Sequence, residues 1–507
     1  MRLSDYEIIL KPRRRDGRVI EDMMLLFNGL YGAADIVDLD TLKAAKAGRI
    51  DMLPEQLRER LQRRGHLTED TDREMEDIKI LSRSYRMIER SVAGLVILPT
   101  YNCNFRCSYC YERHRLSRGE EWLGHTMSQE MVDDIMKAAE NMQERGIRIR
   151  DITFFGGEPF LKENRELVEY ICSKAKKLNI PLEAVTNGYE LEYFIDMLKE
   201  YSFESLQITL DGPKEINDRR RIHKDGTGSF DKILENIALT VDNGIKVNLR
   251  VNVGPENLDS AFSIKEILEE KGLTGSDHFS FYFKATTGEN YPGKDHGVSD
   301  KEVYEMLRKR GLSCFEAAEL DSTYIGILNG LKSYAKKEDF FKASPVYCGA
   351  EQGMYIIDPD GLIYSCWDLL AKEELAIGAV DSGREKLALD LSMTQWRTRC
   401  VDNMPKCRVC PYIFICSGGC AGAAYAETGD FTRENCGSER DAFDELASVI
   451  FGEAYEEKGE TELTKSLKEP LDRLTAGERK TVLNSRSQRE VFDIVKPFYV
   501  GGEKDRN

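Results

Sequence analysis

Cysteine dominates the chemistry available to this chain: there are 13, and none precedes position 103. In the run TYNCNFRCSYCYERH, Cys103, Cys107 and Cys110 stand in a CxxxCxxC spacing, with an aromatic residue just before the last thiol. Three thiolates on one short loop can hold three corners of a cubane [4Fe–4S] cluster and leave its fourth iron open to a small molecule. The spacing alone also allows a zinc site completed by His114 or another residue, or three unrelated buried thiols. A denser field follows, with Cys348, Cys366 and Cys400, then Cys407, Cys410, Cys416 and Cys420 at CxxC, CxxxxxC and CxxxC spacings, and finally Cys436. Pairs of that kind can hold zinc tetrahedrally. Cys172 and Cys314 fall in helical stretches and read as packing residues. The six histidines are scattered without ligand spacing, which speaks against a histidine-based metal centre.

Such loops need a scaffold, and the texture of the chain supplies one. From about Gly94, short apolar runs alternate with amphipathic stretches of helical length, the pattern of repeated βα units around a parallel sheet. Six strands are expected, at 94–99, 151–157, 183–188, 205–212, 246–253 and 279–285. Stretches such as SQEMVDDIMKAAENMQERG and SFDKILENIALTVDNG lie between them and close on glycine, a common helix stop. Six units predict an incomplete α/β barrel, whose functional groups sit on loops leaving the carboxyl ends of strands. Every motif singled out here follows a strand: the cysteine trio after the first, GGEP at Gly156–Pro159 after the second, TNG at Thr186–Gly188 after the third, and TLDGPKEINDRRR at 209–221 after the fourth.

Ahead of the barrel, residues 1–92 mix extended pieces with a helix at 53–65 and a long polar helix from about Asp72 to Glu89, readable as a helical cap or as a small peptide-binding module. After residue 340 the chain turns irregular and rich in Cys and Gly, so cofactor ligation is expected to replace a core there. The last fifty residues read as solvated helices with a frayed end. A formal charge of −17 argues against gripping a phosphate backbone, so nucleic acid is not an expected partner. No apolar run approaches a membrane span and the opening MRLSDYEIILKPRRRDG lacks a signal peptide's apolar core, so a cytoplasmic protein with reduced thiols is expected.

The trio, GGEP, TNG and TLDG segments together resemble the radical S-adenosylmethionine (SAM) superfamily over about residues 94–290. That resemblance implies a partial (β/α)6 TIM-like barrel in which Cys103, Cys107 and Cys110 hold a [4Fe–4S] cluster and SAM chelates the free iron. It further implies reductive cleavage of SAM to a 5′-deoxyadenosyl radical that takes a hydrogen from substrate. In those roles Gly156 and Gly157 would let backbone approach the ligand, and Glu158 would accept from the methionine ammonium. Thr186, Asn187 and Thr209 would lie near the ribose hydroxyls, though residues of those types also serve as turn or cap residues. Arg221 stands where the family has an arginine in its HDxxR-like segment and would pair with the SAM carboxylate, while Arg219 and Arg220 read equally as a solvated run and Asn217 replaces the usual histidine.

The second field resembles the SPASM extension of such enzymes, C…GxxxxC…CxxCxxxxxCxxxC…C, with Gly361 preceding Cys366. The resemblance implies two auxiliary [4Fe–4S] clusters, one on Cys407, Cys410, Cys416 and Cys436, the other on Cys348, Cys366 and Cys420, making three clusters in all. Seven thiolates are one short of eight, so either Cys400 fills the gap or one auxiliary iron stays open to a substrate thiolate. Enzymes of this kind are similar to peptide maturases that join a cysteine sulfur to carbon, to carbon–carbon crosslinking maturases, and to anaerobic sulfatase-maturating enzymes. The implied partners are a precursor peptide with a leader and an electron donor such as flavodoxin or ferredoxin. The opening region resembles winged-helix elements that hold leaders by adding a strand to a sheet edge. On this reading the domains are 1–92, a barrel at 93–290, a bridge at 291–345, the SPASM region at 346–440 and a helical tail at 441–507. Thioether formation is the favoured reaction. Formylglycine formation would need an acid near the auxiliary field, where Asp368 is one residue out of the family's register and Asp358 and Asp360 are the other acids.

Overall fold

The computed structural model describes residues 1–110, 112, 118–286, 297–337 and 339–499; His114 lies outside them. Fifteen strands are present among these residues: β1 Arg2–Leu3, β2 Glu7–Leu10, β3 Met23–Asn28, β4 Ala34–Asp38, β5 Leu67–Thr68, β6 Val92–Ile97, β7 Arg148–Phe154, β8 Leu182–Thr186, β9 Ser205–Thr209, β10 Val247–Val253, β11 Phe279–Ala285, β12 Met354–Ile357, β13 Leu362–Tyr364, β14 Gly378–Asp381 and β15 Lys386–Leu389. Strands β6 to β11 pair in chain order, all parallel, as a partial (β/α)6 barrel. All six expected strands exist. Four end sooner than expected, because each expectation ran on into the loop that carries the motif.

Periodicity explains the helices between them. In Gln129–Glu144 the buried residues Val132, Ile135, Met136 and Ala139 form one stripe, Ser128 caps the first turn by accepting from Met131 N, and Gly146 at φ +81° follows the last turn. The inner face of the barrel is polar in its second half, since NLRVNV on β10 alternates Asn248, Arg250 and Asn252 inward against Leu249, Val251 and Val253 outward.

The region after residue 340 departs from expectation. Instead of an irregular segment it contains β12, which joins β6 in parallel with Met354 opposite Gly94 and Ile357 opposite Ile97, and β13 to β15 continue the sheet antiparallel to ten strands. Ile356, Ile357, Ile363, Trp396 and Phe414 are buried there and extend the barrel's hydrophobic core into this part. Runs of three or four residues broken by the turn DPDG carry too little alternation to be read as strands in advance.

At the other end, β2, β3 and β4 form an antiparallel sheet followed by the helices Leu39–Lys46, Glu55–Arg63 and Thr71–Glu89. The outer edge of β4 is taken by the chain's own C-terminal part: Ile36 N donates to Thr461 O at 2.9 Å and Leu463 N to Ala34 O at 2.8 Å. The expectation of a solvated tail is therefore corrected. Leu463, Leu467, Leu471, Val482 and Val491 are buried against the N-terminal region, and only spaced apolar residues in a polar run concealed it. Among the described residues no helix is long and apolar enough to cross a membrane.

Candidate functional site

The loop leaving β6 carries the trio and is stitched to the segment after β9, with Arg106 N donating to Ile222 O at 2.8 Å and Ser108 N to Arg220 O at 3.1 Å. Cys110 N bonds Cys107 O at 3.3 Å, folding the last two thiols into one turn. Burial pushes the Cys103 thiol well up, and Glu158, Cys107 and Cys110 add to it. Cys107 is also raised by burial, with the Arg221 guanidinium opposing. A cation placed against these buried thiols would favour their thiolate forms, which is what a metal centre provides.

The GGEP loop nests against the same backbone. Gly156 has φ +112°, and a Cβ on Gly157 would lie 2.1 Å from Asn102 O, so the close approach that glycine permits here is to the trio loop. Gly157 N bonds Thr100 O at 3.2 Å and Glu158 N bonds Asn102 O at 2.8 Å. The Glu158 carboxylate is itself a brace: it accepts from Thr186 Oγ1 at 2.6 Å, Asn187 N at 2.6 Å and Phe160 N at 2.9 Å. Burial lifts its pKa to about 7 against those three bonds. Asn187 donates to Asn104 Oδ1 at 2.6 Å and reaches Cys103 Sγ at 3.9 Å, tying the loop after β8 to the trio. Thr209, also buried, ends β9 on the inner face.

The three consecutive arginines separate cleanly. Arg219 is exposed and bonds Glu215 O; Arg220 pairs with buried Asp211 at 2.8 Å. Arg221 points toward the trio, donating to Tyr109 Oη at 2.9 Å, and its buried Nε has no partner among the described residues. Burial works against its charge, but Tyr109, Cys107 and Asp211 outweigh that and raise its pKa. Tyr109 Oη also donates to Asp211 at 3.0 Å and receives from Asn252 Nδ2 at 3.2 Å, a role of the residue before the last thiol that spacing did not reveal. Asn217 closes the same corner, accepting from Asp211 N at 3.2 Å and donating to Ser229 Oγ at 3.1 Å.

The later thiols fall into two groups. Cys366 lies within electrostatic reach of Asp368, Cys420 and Cys348, and Cys407 within reach of Cys416, Cys410 and Cys436. Arg440 Nη2 spans the second group, 3.4 Å from both Cys410 and Cys436 Sγ. The first group is held by a fully buried ion pair: Arg399 bonds Glu351 at 2.5 Å and Gly418 O at 3.2 Å, while Glu351 accepts from Cys348 N at 3.0 Å. Cys400 is buried, and its thiol is raised by burial and by Asp402, with Arg86 opposing. Among the described residues no three His, Cys, Asp or Glu side chains converge closely enough to hold a single metal ion.

The acids near this field also differ. Asp358 is locked in a turn, accepting from Asp360 N, Leu362 N and Tyr101 Oη, and Asp360 pairs with exposed His125 at 3.1 Å. Asp368 instead stays accessible beside Cys366, yet the protein packed around it raises its carboxyl by desolvation, with Arg250, Lys284 and Lys372 opposing. Gly422 makes room for it, because a Cβ there would lie 2.7 Å from Asp368 Oδ2.

Comparison with known proteins agrees with this geometry. Residues 97–266 match the Radical SAM superfamily. The chain is 24% identical over 347 residues to a cysteine-type anaerobic sulfatase-maturating enzyme of Clostridium novyi, covering 65% of this chain and 88% of that one. It is 26% identical over 360 residues to the mycofactocin maturase MftC of Mycobacterium tuberculosis, covering 67% and 82%. A solved structure described as native anSMEcpe with bound AdoMet superimposes with a TM-score of 0.53 at 19% identity, over 72% of this chain and 100% of that one, which establishes likeness of fold.

Proposed function

Because residues 97–266 are a radical SAM domain, we propose that the chain is a peptide maturase that oxidatively installs a crosslink, a cysteine thioether, in a ribosomally made precursor. The observation that supports this reading is that Cys366 has Cys420 and Cys348 within electrostatic reach and Cys407 has Cys416, Cys410 and Cys436; with Cys400 against Asp402, a cluster on the first set would be one ligand short and open to a substrate thiolate. The donor sets fit the implied cofactors: Cys103, Cys107 and Cys110 on one loop suit a [4Fe–4S] cluster, and the buried, unpartnered Arg221 Nε suits a SAM carboxylate. When bound, SAM and the cluster at the trio supply the carbon radical that removes a hydrogen atom from substrate, and two auxiliary clusters would sit on the later thiols.

The residues of the chain do the rest. Glu158, Asn187 and Asn104 fix the trio loop to two strand ends, Tyr109 and Arg221 keep a cation against Cys107, and the ten-stranded sheet holds both thiol fields in one frame. Net loss of two hydrogens requires that a proton leave the substrate, and Asp368, accessible beside Cys366, would receive it. That carboxylate is also the observation favouring a second reading, oxidation of a Cys or Ser to formylglycine. An electron donor such as flavodoxin or ferredoxin would serve either reading. A leader strand added to β4 is disfavoured because residues 461–463 occupy that edge, leaving β2 as the edge of the sheet without a strand partner among the described residues.

The test is anaerobic reconstitution with SAM, a reductant and a cysteine-containing peptide encoded nearby, followed by mass measurement and alkylation. Loss of two hydrogens with a thiol that no longer alkylates supports the thioether; a formylglycine aldehyde supports the second reading. Cys107→Ala should abolish SAM cleavage, whereas Cys420→Ala should keep cleavage and lose product. Absence of SAM cleavage by the fully reconstituted protein would overturn both readings.

A further inference from the structure

A cavity of about 430 Å³ opens at the end of the barrel sheet, walled on one side by Arg250, Tyr282 and Lys284 and on the other by Ser322, Tyr347 and Glu439. Its polar groups are unequally committed. Lys284 is held by both oxygens of Asp300 at 3.2 Å, Tyr282 Oη donates to Gln207 at 2.8 Å, and Tyr347 Oη donates to Glu439 Oε1 at 2.8 Å. Arg250 is different. Its Nε donates to Asn252 Oδ1 at 2.7 Å, and among the described residues this half-buried guanidinium forms no ion pair, Asp368 being an acid within its electrostatic reach. Ser322 Oγ and Glu439 Oε2, both buried, also have no partner. Ser322 sits where it does because the chain at 320–322 caps the outer edge of β11, Phe283 N donating to Leu320 O at 2.7 Å and Ser322 N to Phe283 O at 3.2 Å.

An arginine cannot shed its charge, and its planar fork matches a carboxylate with two parallel bonds. A cavity of this volume takes a side chain with some backbone. Glu439 on the facing wall would repel a second negative group and accept an N–H, which selects against polyphosphates and for a carboxylate carried on an amide chain. We propose that this cavity is a subsite for an aspartate or glutamate side chain of the peptide substrate, its carboxylate held by the Arg250 guanidinium and the Ser322 hydroxyl, with Glu439 accepting a neighbouring peptide N–H. This rests on the maturase reading and narrows its substrate to peptides with an acidic residue near the site of modification.

The test uses the full chain with its clusters reconstituted and two probes, acetyl-Gly-Asp-Gly-amide and its Asn counterpart, titrated to millimolar concentration by calorimetry and saturation-transfer NMR. The Asp probe should bind about tenfold more tightly than the Asn probe, and Arg250→Gln should erase that preference. Ser322→Ala should weaken the Asp probe alone by a few-fold, and it reports on the subsite even if the Arg250 variant does not fold. Equal binding of the two probes, no saturable binding of either, or an Asp preference that survives Arg250→Gln would overturn the proposal. SAM cleavage by the unsubstituted protein is measured in parallel: its failure would remove the radical reading, whereas Asp-selective binding would still stand.

Discussion

Two clusters of charge lie inside this molecule, one in the N-terminal sheet and one in the lumen of the barrel, and they are finished differently. In the first, Arg64 pairs with Asp35 at 2.5 Å and reaches Thr464 O at 2.9 Å, while His66 lies between Glu7 at 3.0 Å and Asp35 at 2.7 Å. The remaining oxygen of Asp35 faces Arg60 at 3.7 Å, and Asn28 donates to Glu7 at 2.7 Å. Every charge there has an opposite neighbour from another element, although Asp35 Oδ1 and Arg60 Nε, 3.7 Å apart, form no hydrogen bond among the described residues. In the lumen, Arg250, Ser322 and Glu439 each keep an atom without a partner among the described residues. The difference lies in charge pairing: the N-terminal charges are answered by close ion pairs, whereas Arg250 in the lumen forms none among the described residues.

The sharpest way to break that contrast is to cut each cluster once. Arg64→Met strands Asp35 in the interior and should cost about 3–5 kcal/mol of stability in urea unfolding, leaving SAM cleavage by the folded fraction intact. Acidity tests the same cluster without mutation. Burial works against the charge of His66, but Glu7 and Asp35 outweigh it and raise its pKa from 6.5 to about 9. A raised histidine stabilises fully below pH 6.5 and loses that contribution as pH climbs through 9, so about 3 kcal/mol should fade across this window, and His66→Gln should flatten the profile. The lumen should answer in the opposite currency: Arg250→Met should leave unfolding within about 1 kcal/mol of the parent while slowing crosslinking of an acidic peptide by about tenfold or more. Smallest is Thr464→Val, which removes one bond from Ala34 N at 2.8 Å and one to Gly32 O at 2.7 Å, and should cost roughly 1–2 kcal/mol with no catalytic effect.

How much of this was legible beforehand follows from how local each feature is. The six barrel strands announce themselves through apolar runs followed by motif loops, and the trio is visible because three thiols share one loop of eight residues, Cys103 to Cys110. The adjoining brace of Glu158, Thr186 and Asn187 draws on two loops 28 and 29 residues apart, so its residues could be nominated but not their bonds to one another. Which of Arg219, Arg220 and Arg221 turns inward depends on the end of a short helix, Lys214–Arg220, and no pattern in a run of like charges encodes it. The pairing of β12 with β6 and the docking of the tail rest on contacts across hundreds of residues, where periodicity carries no information, and β13 to β15 are too short to show alternation. Arg250 shows the same limit in miniature: alternation puts it on the inner face, but only the neighbours reveal that it forms no ion pair among the described residues.

The strap at residues 461–464 also sets a timetable. Arg64 and the Thr464 carbonyl it grips are 400 residues apart in the chain, so the ribosome finishes the N-terminal sheet long before it makes the piece that closes it. At roughly 5–20 residues per second, the edge of β4 and the charges beneath it wait roughly 20–80 s for their partner. During that interval the newborn protein displays an open, apolar strand edge, and chaperones that shield such edges would find their longest opportunity there.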